Sequence, residues 1–236
     1  MKLLDTKGGN TKVKKSMAMG DVRIASLSLE PTPALCPHSA IAECFDNCIK
    51  KSGMAQVFSS VTQSRMAKTR FFESDRERFL IQLKRELHNF IKLCLKQGVK
   101  PVVRLNTFSD VKWEELLDME GEFGEILFYD YTKNAARLHT ELPSNYKLMF
   151  SYSGAPRYQK HVAKALEADV PMTVVFRGGF PESFMGRPVI DGDVSDLDNV
   201  FSGNVIVGLR VKGDEAKKDV DSPFIVDATN LIAVAV

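Results

Sequence analysis

An α/β fold built on a mostly parallel sheet is what this sequence predicts, and three observations carry the prediction. Short apolar runs recur along the chain: PVVRL at 101–105, EILFYD at 125–130, YKLMFSY at 146–152, PMTVVF at 171–176 and NVIVGLRV at 204–211. Helical or turn-like stretches separate them. Polar residues follow nearly every run, as expected where strands end on a common edge. Continuous apolar strands need cover on both faces, which intervening helices provide. A chain of 236 residues suits one such domain. The order of elements predicts a partial or distorted (β/α) barrel, with an open doubly wound sheet as the alternative. Neither an internal repeat nor a Pro/Ser-rich linker interrupts 21–236, so that span reads as a single domain.

Taken in order, residues 1–20 are rich in Lys, Gly and Thr and read as a flexible basic N-terminal arm. One role for such an arm is to close over a phosphate-bearing ligand. DVRIASLSL (21–29) alternates apolar and polar residues and predicts a strand, ended by Pro31 and Pro33. A cysteine loop follows at 30–53. Residues 60–72 predict a basic helix carrying Arg65, Lys68 and Arg70. Next, 75–97 predicts a long amphipathic helix whose stripe is Phe79, Leu80, Leu83, Leu87, Phe90, Ile91 and Cys94. Asp75 opens it and Gly98 stops it. Cys94 lies in the stripe and reads as core.

Beyond the strand at 101–105, residues 110–119 predict a short helix with Asp110 as N-cap. YTKNAARLHT predicts a helical turn, 158–168 a helix, and RPVID (187–191) a short strand. The final PFIVDATNLIAVAV is β-like and predicts a strand that closes or edges the sheet.

With 44% hydrophobic and 26% charged residues the chain has the composition of a soluble globular protein. A net charge of +2 points to no particular partner. No apolar run nears the roughly 20 residues of a membrane span, and the N-terminus lacks an apolar signal core. Those features predict a cytoplasmic protein, in which cysteines stay reduced.

Three of the four cysteines, Cys36, Cys44 and Cys48, fall within 13 residues directly after the first predicted strand. Thiolates at short spacing suit a soft metal or an iron–sulfur cluster. If 43–50 is helical, Cys44 and Cys48 share a face at i and i+4. A [4Fe–4S] cluster held by three thiolates keeps one iron open to a substrate or to S-adenosylmethionine. Zinc would need a fourth ligand, His38 or a water. A metal-free loop of thiols is the third reading. His88, His139 and His161 share no ligand spacing and read as structural.

The residues after the strands form the second candidate set. Asp110, Asp130, Lys133, Asp191 and Asp193 are the candidates for proton transfer or nucleophilic attack. Arg104, Asn106, Ser109, Tyr131, Ser151 and Arg177 are the candidates for holding a polar substrate; Thr107 and Ser153 stand beside them. Each also has a bland reading: Asp110 as a helix cap, and Asp191-Gly192-Asp193 as a turn. Neither a P-loop nor a G-x-G-x-x-G is present, so nucleotide phosphates are not bound by those routes. Lys and Arg on both sides of the cysteine loop make a basic rim that a nucleic-acid backbone would fit.

The order CPHSAIAECFDNC, QSRMAKTRFFESDRERFLIQL, VRLNTFSD, FYDYTK, PSNYKLMFS and PVIDGDVSDLDNV…VIVGLRVKG resembles a family of bacteriophage proteins with a three-cysteine motif, over roughly residues 8–213. That resemblance implies a phage origin and brings no activity with it. More remotely, a strand, a three-cysteine loop and repeated β/α units are similar to the radical S-adenosylmethionine enzymes. The usual C-x3-C-x2-C spacing is replaced here by C-x7-C-x3-C, and VRLNTFSD stands where a Gly-Gly-Glu run is usual. A second remote similarity is to tRNA-guanine-transglycosylase-like barrels, in which aspartates at strand ends act and the cysteine site is structural zinc.

Three functions follow as expectations. First comes a phage-encoded, radical S-adenosylmethionine-like iron–sulfur enzyme acting on a nucleotide, nucleobase or nucleic acid. Second is a DNA guanine/7-deazaguanine transglycosylase with structural zinc. Third is a non-enzymatic zinc-stapled protein that binds a host factor.

Overall fold

The structure is a computed structural model that describes residues 1–7, 17, 21–45, 48, 59–229 and 231. It has the expected α/β character with mostly parallel strands, not closed into a barrel. The chain forms two compact units. The first comprises Met1–Cys36, Phe58–Asp130 and Glu141–Lys147, and the second Pro37–Val57, Tyr131–Thr140 and Leu148–Val236.

In the first unit the strands run β1 (Leu4–Asp5), β2 (Val22–Leu27), β3 (Lys100–Arg104), β4 (Leu127–Thr132, its last two residues in the second unit). β2, β3 and β4 are parallel, with Ile24 opposite Val102 and Val103 opposite Phe128. β1 is antiparallel to β2. Leu4 and Asp5 of the expected flexible arm are therefore part of the sheet. Leu3 and Leu4 are buried, the Glu86 carboxylate accepts from both of their backbone N–H groups, and Lys68 donates to Leu3 O. The arm's residues 8–16 and 18–20 lie outside the described residues.

Two helices join β2 to β3: α1 (Ser59–Ser74) and α2 (Arg76–Gln97). α2 is the helix its periodicity predicts. Phe79, Leu83, Leu87, Phe90, Ile91 and Cys94 are buried. Asp75 caps its start by accepting from Arg78 N, and Gly98 ends it in the left-handed region at φ 66°. That conformation is cheap for glycine and costly for residues with a Cβ.

The predicted helix at 110–119 is absent. Only a 3-10 turn forms, Trp113–Glu115, and Asp110 is not its cap. Competing hydrogen bonds explain the difference. Asp110 N donates to Leu35 O, while the Asn106 side chain takes Val111 N and Trp113 Nε1. Those bonds draw the segment's donors away from a helical pattern.

The second unit is built on β5 (Tyr146–Ser151, its first two residues in the first unit), β6 (Met172–Arg177), β7 (Ser183–Phe184), β8 (Arg187–Asp191), β9 (Ile206–Arg210) and β10 (Ile225–Asp227). Their order is β5-β6-β9-β8-β7. β9 inserts between β6 and β8, whereas a barrel would add its strands sequentially. β7 and β8 form an antiparallel hairpin that ends the run.

β10 pairs parallel with Val175–Arg177 of β6, beyond the point where β5 pairs with Met172 and Thr173. The C-terminal apolar stretch thus extends the sheet as expected; residues 230 and 232–236 lie outside the described residues. Helices α3 (Gln159–Leu166), α4 (Asp196–Val200) and α5 (Asp214–Lys218) complete this unit. Its core gathers Phe150, Tyr158, Val162, Met172, Val174, Phe176 and Ile206. Gly208 on β9 makes room for the Phe180 ring, which a Cβ would meet at 2.8 Å.

Candidate functional site

Parallel strands carry their polar successors to one edge, and in the second unit that edge gathers a cluster. Lys133, just past β4, donates from Nζ to Ser151 O at 3.2 Å, Ser151 Oγ at 3.1 Å and Tyr152 O at 3.2 Å. Its ammonium also lies over the Phe224 ring, 4.6 Å from the centroid, and 5.3 Å from that of Tyr158. Tyr158 is buried, and its hydroxyl donates to Lys133 O at 2.7 Å. Three oxygens and two aromatic faces therefore fix this cation at the carboxyl end of β5.

The cysteine loop docks on the same strand end. Ser153 Oγ, two residues past β5, is buried and donates to Ala42 O at 2.7 Å. Ala42 is buried in the second unit's core, and Cys44 packs partly buried against that core. Within the loop, Cys44 N and Cys44 Sγ both approach Ser39 O, at 3.2 and 3.8 Å. Cys36, in the first unit, donates from Sγ to Phe108 O at 3.3 Å.

All three loop cysteines are partly exposed, whereas Cys94 is buried as expected. Burial pushes the Cys94 thiol up, away from thiolate. Among the described residues no set of three or more His, Cys, Asp or Glu is arranged as metal ligands. Of the expected helix over 43–50, residues 46, 47, 49 and 50 lie outside the described residues; Glu43, Cys44, Phe45 and Cys48 are not helical, and Glu43 has φ 48°.

In the same unit, the Tyr131 hydroxyl donates to Asp196 Oδ1 at 2.9 Å, and Asp196 is fully buried on α4. Asp196, Tyr158 and Phe224 were not among the sequence candidates. For Tyr158 the available signal was its place between a strand end and a helix; Asp196 lay hidden in an acidic turn.

Several other candidates are held in structural networks. Asp130 is 1% exposed and accepts from Asn106 N at 2.7 Å, Asn106 Nδ2 at 3.2 Å and Tyr146 Oη at 2.9 Å. Asn106 also accepts from Ser109 Oγ, Val111 N and Trp113 Nε1. This buried hub ties the ends of β3 and β4 to the loop after β3. Arg104, the last residue of β3, pairs in register with Ser26 of β2.

Asp191 and Asp193 are brought together with basic partners. Arg210 donates to Asp191 Oδ2 at 2.9 Å, and Lys212 to Asp193 Oδ1 at 2.7 Å. Arg177 donates to Ala216 O and Asp219 O, fastening α5 and the turn after it. The basic rim also changes in character. Arg65 is 3% exposed, pairs with Glu30 and lies over Phe108, while Lys68 is spent on Leu3 O. Of those three α1 cations only Arg70 is fully exposed.

The family model described as Gene product 88 matches residues 2–228. The chain belongs to the Gene product 88 family. The match spans the cysteine loop and every strand from β1 to the start of the C-terminal segment. It fits the bacteriophage family that the motifs resemble. It lends no support to the radical S-adenosylmethionine or transglycosylase likeness. No curated protein and no solved structure matches the chain. Among the described residues, no helix is long and apolar enough to cross a membrane.

Proposed function

We propose that this chain is a phage-encoded, metal-dependent enzyme acting on a nucleotide, nucleobase or nucleic acid at the carboxyl ends of β4 and β5. The observation that carries this reading is the Ser153–Ala42 hydrogen bond of 2.7 Å. It holds the cysteine loop two residues from Ser151, which positions the Lys133 ammonium. Ligands bind at the carboxyl ends of parallel strands in α/β folds generally.

Lys133 supplies a positive charge suited to a phosphate or another anion. A substrate oxygen can replace Ser151 Oγ as its acceptor without disturbing the two carbonyl contacts. Tyr158 and Phe224 offer aromatic surface beside the charge, which suits a base attached to a phosphate. Tyr131, oriented by the buried Asp196, is the group best placed to exchange a proton. Cys44 and Cys48, both in the second unit, would hold the metal, which would supply either a Lewis acid or, as an iron–sulfur cluster, an electron carrier.

The transglycosylase reading is weaker on geometry. It needs an open carboxylate, and three of its four candidates, Asp130, Asp191 and Asp193, are committed to protein donors, which leaves Asp110. Equilibrium binding of mononucleotides and short oligonucleotides tests the proposal. Wild-type protein is expected to bind at least one of them, and Lys133→Ala to weaken that binding about tenfold or more, in line with a lost charge-assisted contact. Equal binding by the two proteins would refute the assignment of Lys133.

A further inference from the structure

We propose that the outer face of α3 and of the turn before it docks the phosphodiester backbone of a single-stranded nucleic acid through Arg157, Lys160 and Lys164. The inference rests on reading the Lys133 site as one for nucleotides, and it narrows the substrate to a strand.

A net charge of +2 says little about partners, but the distribution of charge does. Neither 131–140 nor 148–166 holds an Asp or Glu. The two stretches meet in the second unit, where His139 Nε2 and Lys164 O lie 2.8 Å apart. Tyr158, Val162 and Ala165 turn one side of the helix into the core. Arg157, Lys160 and Lys164 recur at three- and four-residue steps, and all three are exposed. Among the described residues, none of the three has a carboxylate within ion-pair distance. Elsewhere in the unit Arg210, Lys212 and Lys217 pair with Asp191, Asp193 and Asp214. Positive charge is thus neutralised there and left open on α3. Burial, then His38, Lys160 and Lys164, push the His161 imidazole in the middle of this face below its ordinary value.

The face is continuous with the Lys133 site. Tyr158 ends the turn ahead of α3, and its hydroxyl donates to Lys133 O at 2.7 Å. Its ring centre lies 5.3 Å from the Lys133 ammonium and 5.2 Å from the His161 ring, on which it stacks. A strand tracking the helix therefore reaches Lys133 at one end. About 6 Å of helix rise separates Lys160 from Lys164, close to the step between successive phosphates of an extended strand. At the Lys133 end, Phe224 provides a ring for a base. An acidic peptide would match the charge but has no use for that ring.

Binding of a labelled single-stranded oligonucleotide of about 15 nucleotides, beside a mononucleotide, tests the proposal on the full chain. Wild-type protein is expected to prefer the oligonucleotide and to lose affinity as salt rises. Arg157→Gln/Lys160→Gln/Lys164→Gln should bind the oligonucleotide at least about tenfold more weakly, and its slope of log affinity against log salt should be shallower by about 2, as for three lost phosphate contacts. The charge-matched Lys212→Gln/Lys217→Gln/Lys218→Gln should lose far less, and circular dichroism verifies that both variants are folded. Equal losses in the two variants would overturn the α3 face, as would competition by poly-glutamate equal to that by unlabelled oligonucleotide. Mononucleotide binding that depends on Lys133, with no preference for the oligonucleotide, would overturn this inference and leave the Lys133 reading standing. Oligonucleotide binding that falls in the α3 variant but not in Lys133→Ala would support the face and refute Lys133. No binding of either probe would overturn both.

Discussion

Asp130 stands among the sequence candidates for chemistry, but its geometry makes it a keystone of the first unit. Replacing it by alanine removes the acceptor of three hydrogen bonds, from Asn106 N, Asn106 Nδ2 and Tyr146 Oη. Both donor residues are 2% exposed, so water cannot take the carboxylate's place. Each buried donor left without an acceptor costs about 1–3 kcal/mol. The losses are coupled, so Asp130→Ala should cost about 3–5 kcal/mol. Tyr146→Phe breaks one bond and leaves the carboxyl with its other donors, so it should cost about 1–2 kcal/mol. In urea, with an m-value of about 2 kcal/mol/M, the midpoint should fall by about 2 M in the first variant and by less than about 1 M in the second. The m-values should not change. A midpoint shift below about 0.3 M in Asp130→Ala would refute the structural assignment and return Asp130 to the list of groups open to substrate.

Other expectations follow from the same packing and hydrogen bonds. Arg187 is buried and donates to Leu166 O, Ala168 O and Val170 O, closing off the C-terminal end of α3; Arg187→Ala should lower stability by about 2–4 kcal/mol, read by urea unfolding. Since burial pushes the Cys94 thiol up, raising the pH through the ordinary thiol range should leave it protonated in the folded state. The partly exposed loop cysteines should therefore react with a thiol reagent in native protein, and Cys94 only after unfolding. Glu86→Ala should release β1, so amide exchange at Leu3 and Leu4 should approach unprotected rates while β2 and β3 keep their protection. Gly98→Ala meets no atom within 4 Å, so its cost should be only the left-handed backbone strain of about 1 kcal/mol.

Much of the fold was legible because local signals agreed with tertiary packing. The stripe on α2, with Asp75 before it and Gly98 after it, needed no distant information. The apolar runs of β3, β5, β6 and β9 were equally plain. What could not be read was long-range hydrogen bonding. Asn106 reaches forward to Val111 and Trp113 and removes a helix that Asp110 would otherwise start. Glu86 reaches back across the chain and turns part of a basic, Gly-rich leader into a strand. Insertion of β9 between β6 and β8 is a matter of topology that no local pattern encodes.

The candidate site divides in the same way. Lys133 and Ser151 were found from their places after strands, and they do meet. Asp130, Asn106 and Ser109 share that sequence signature, but burial turns them into scaffold. His161 looked isolated because its partner lies in a distant loop; contact between two imidazoles 123 residues apart leaves no trace in spacing.

The most direct test of the account is the metal and acid-labile sulfide content of anaerobically purified full-length chain, beside Cys44→Ala and Cys48→Ala. The prediction is a stoichiometric metal in wild-type protein that falls sharply in Cys44→Ala. Zinc without sulfide would agree with a metal that serves as a Lewis acid. Iron with sulfide, lost in the cysteine variants, would agree with an iron–sulfur cluster on the loop. Wild-type protein without bound metal under these conditions would contradict the central claim.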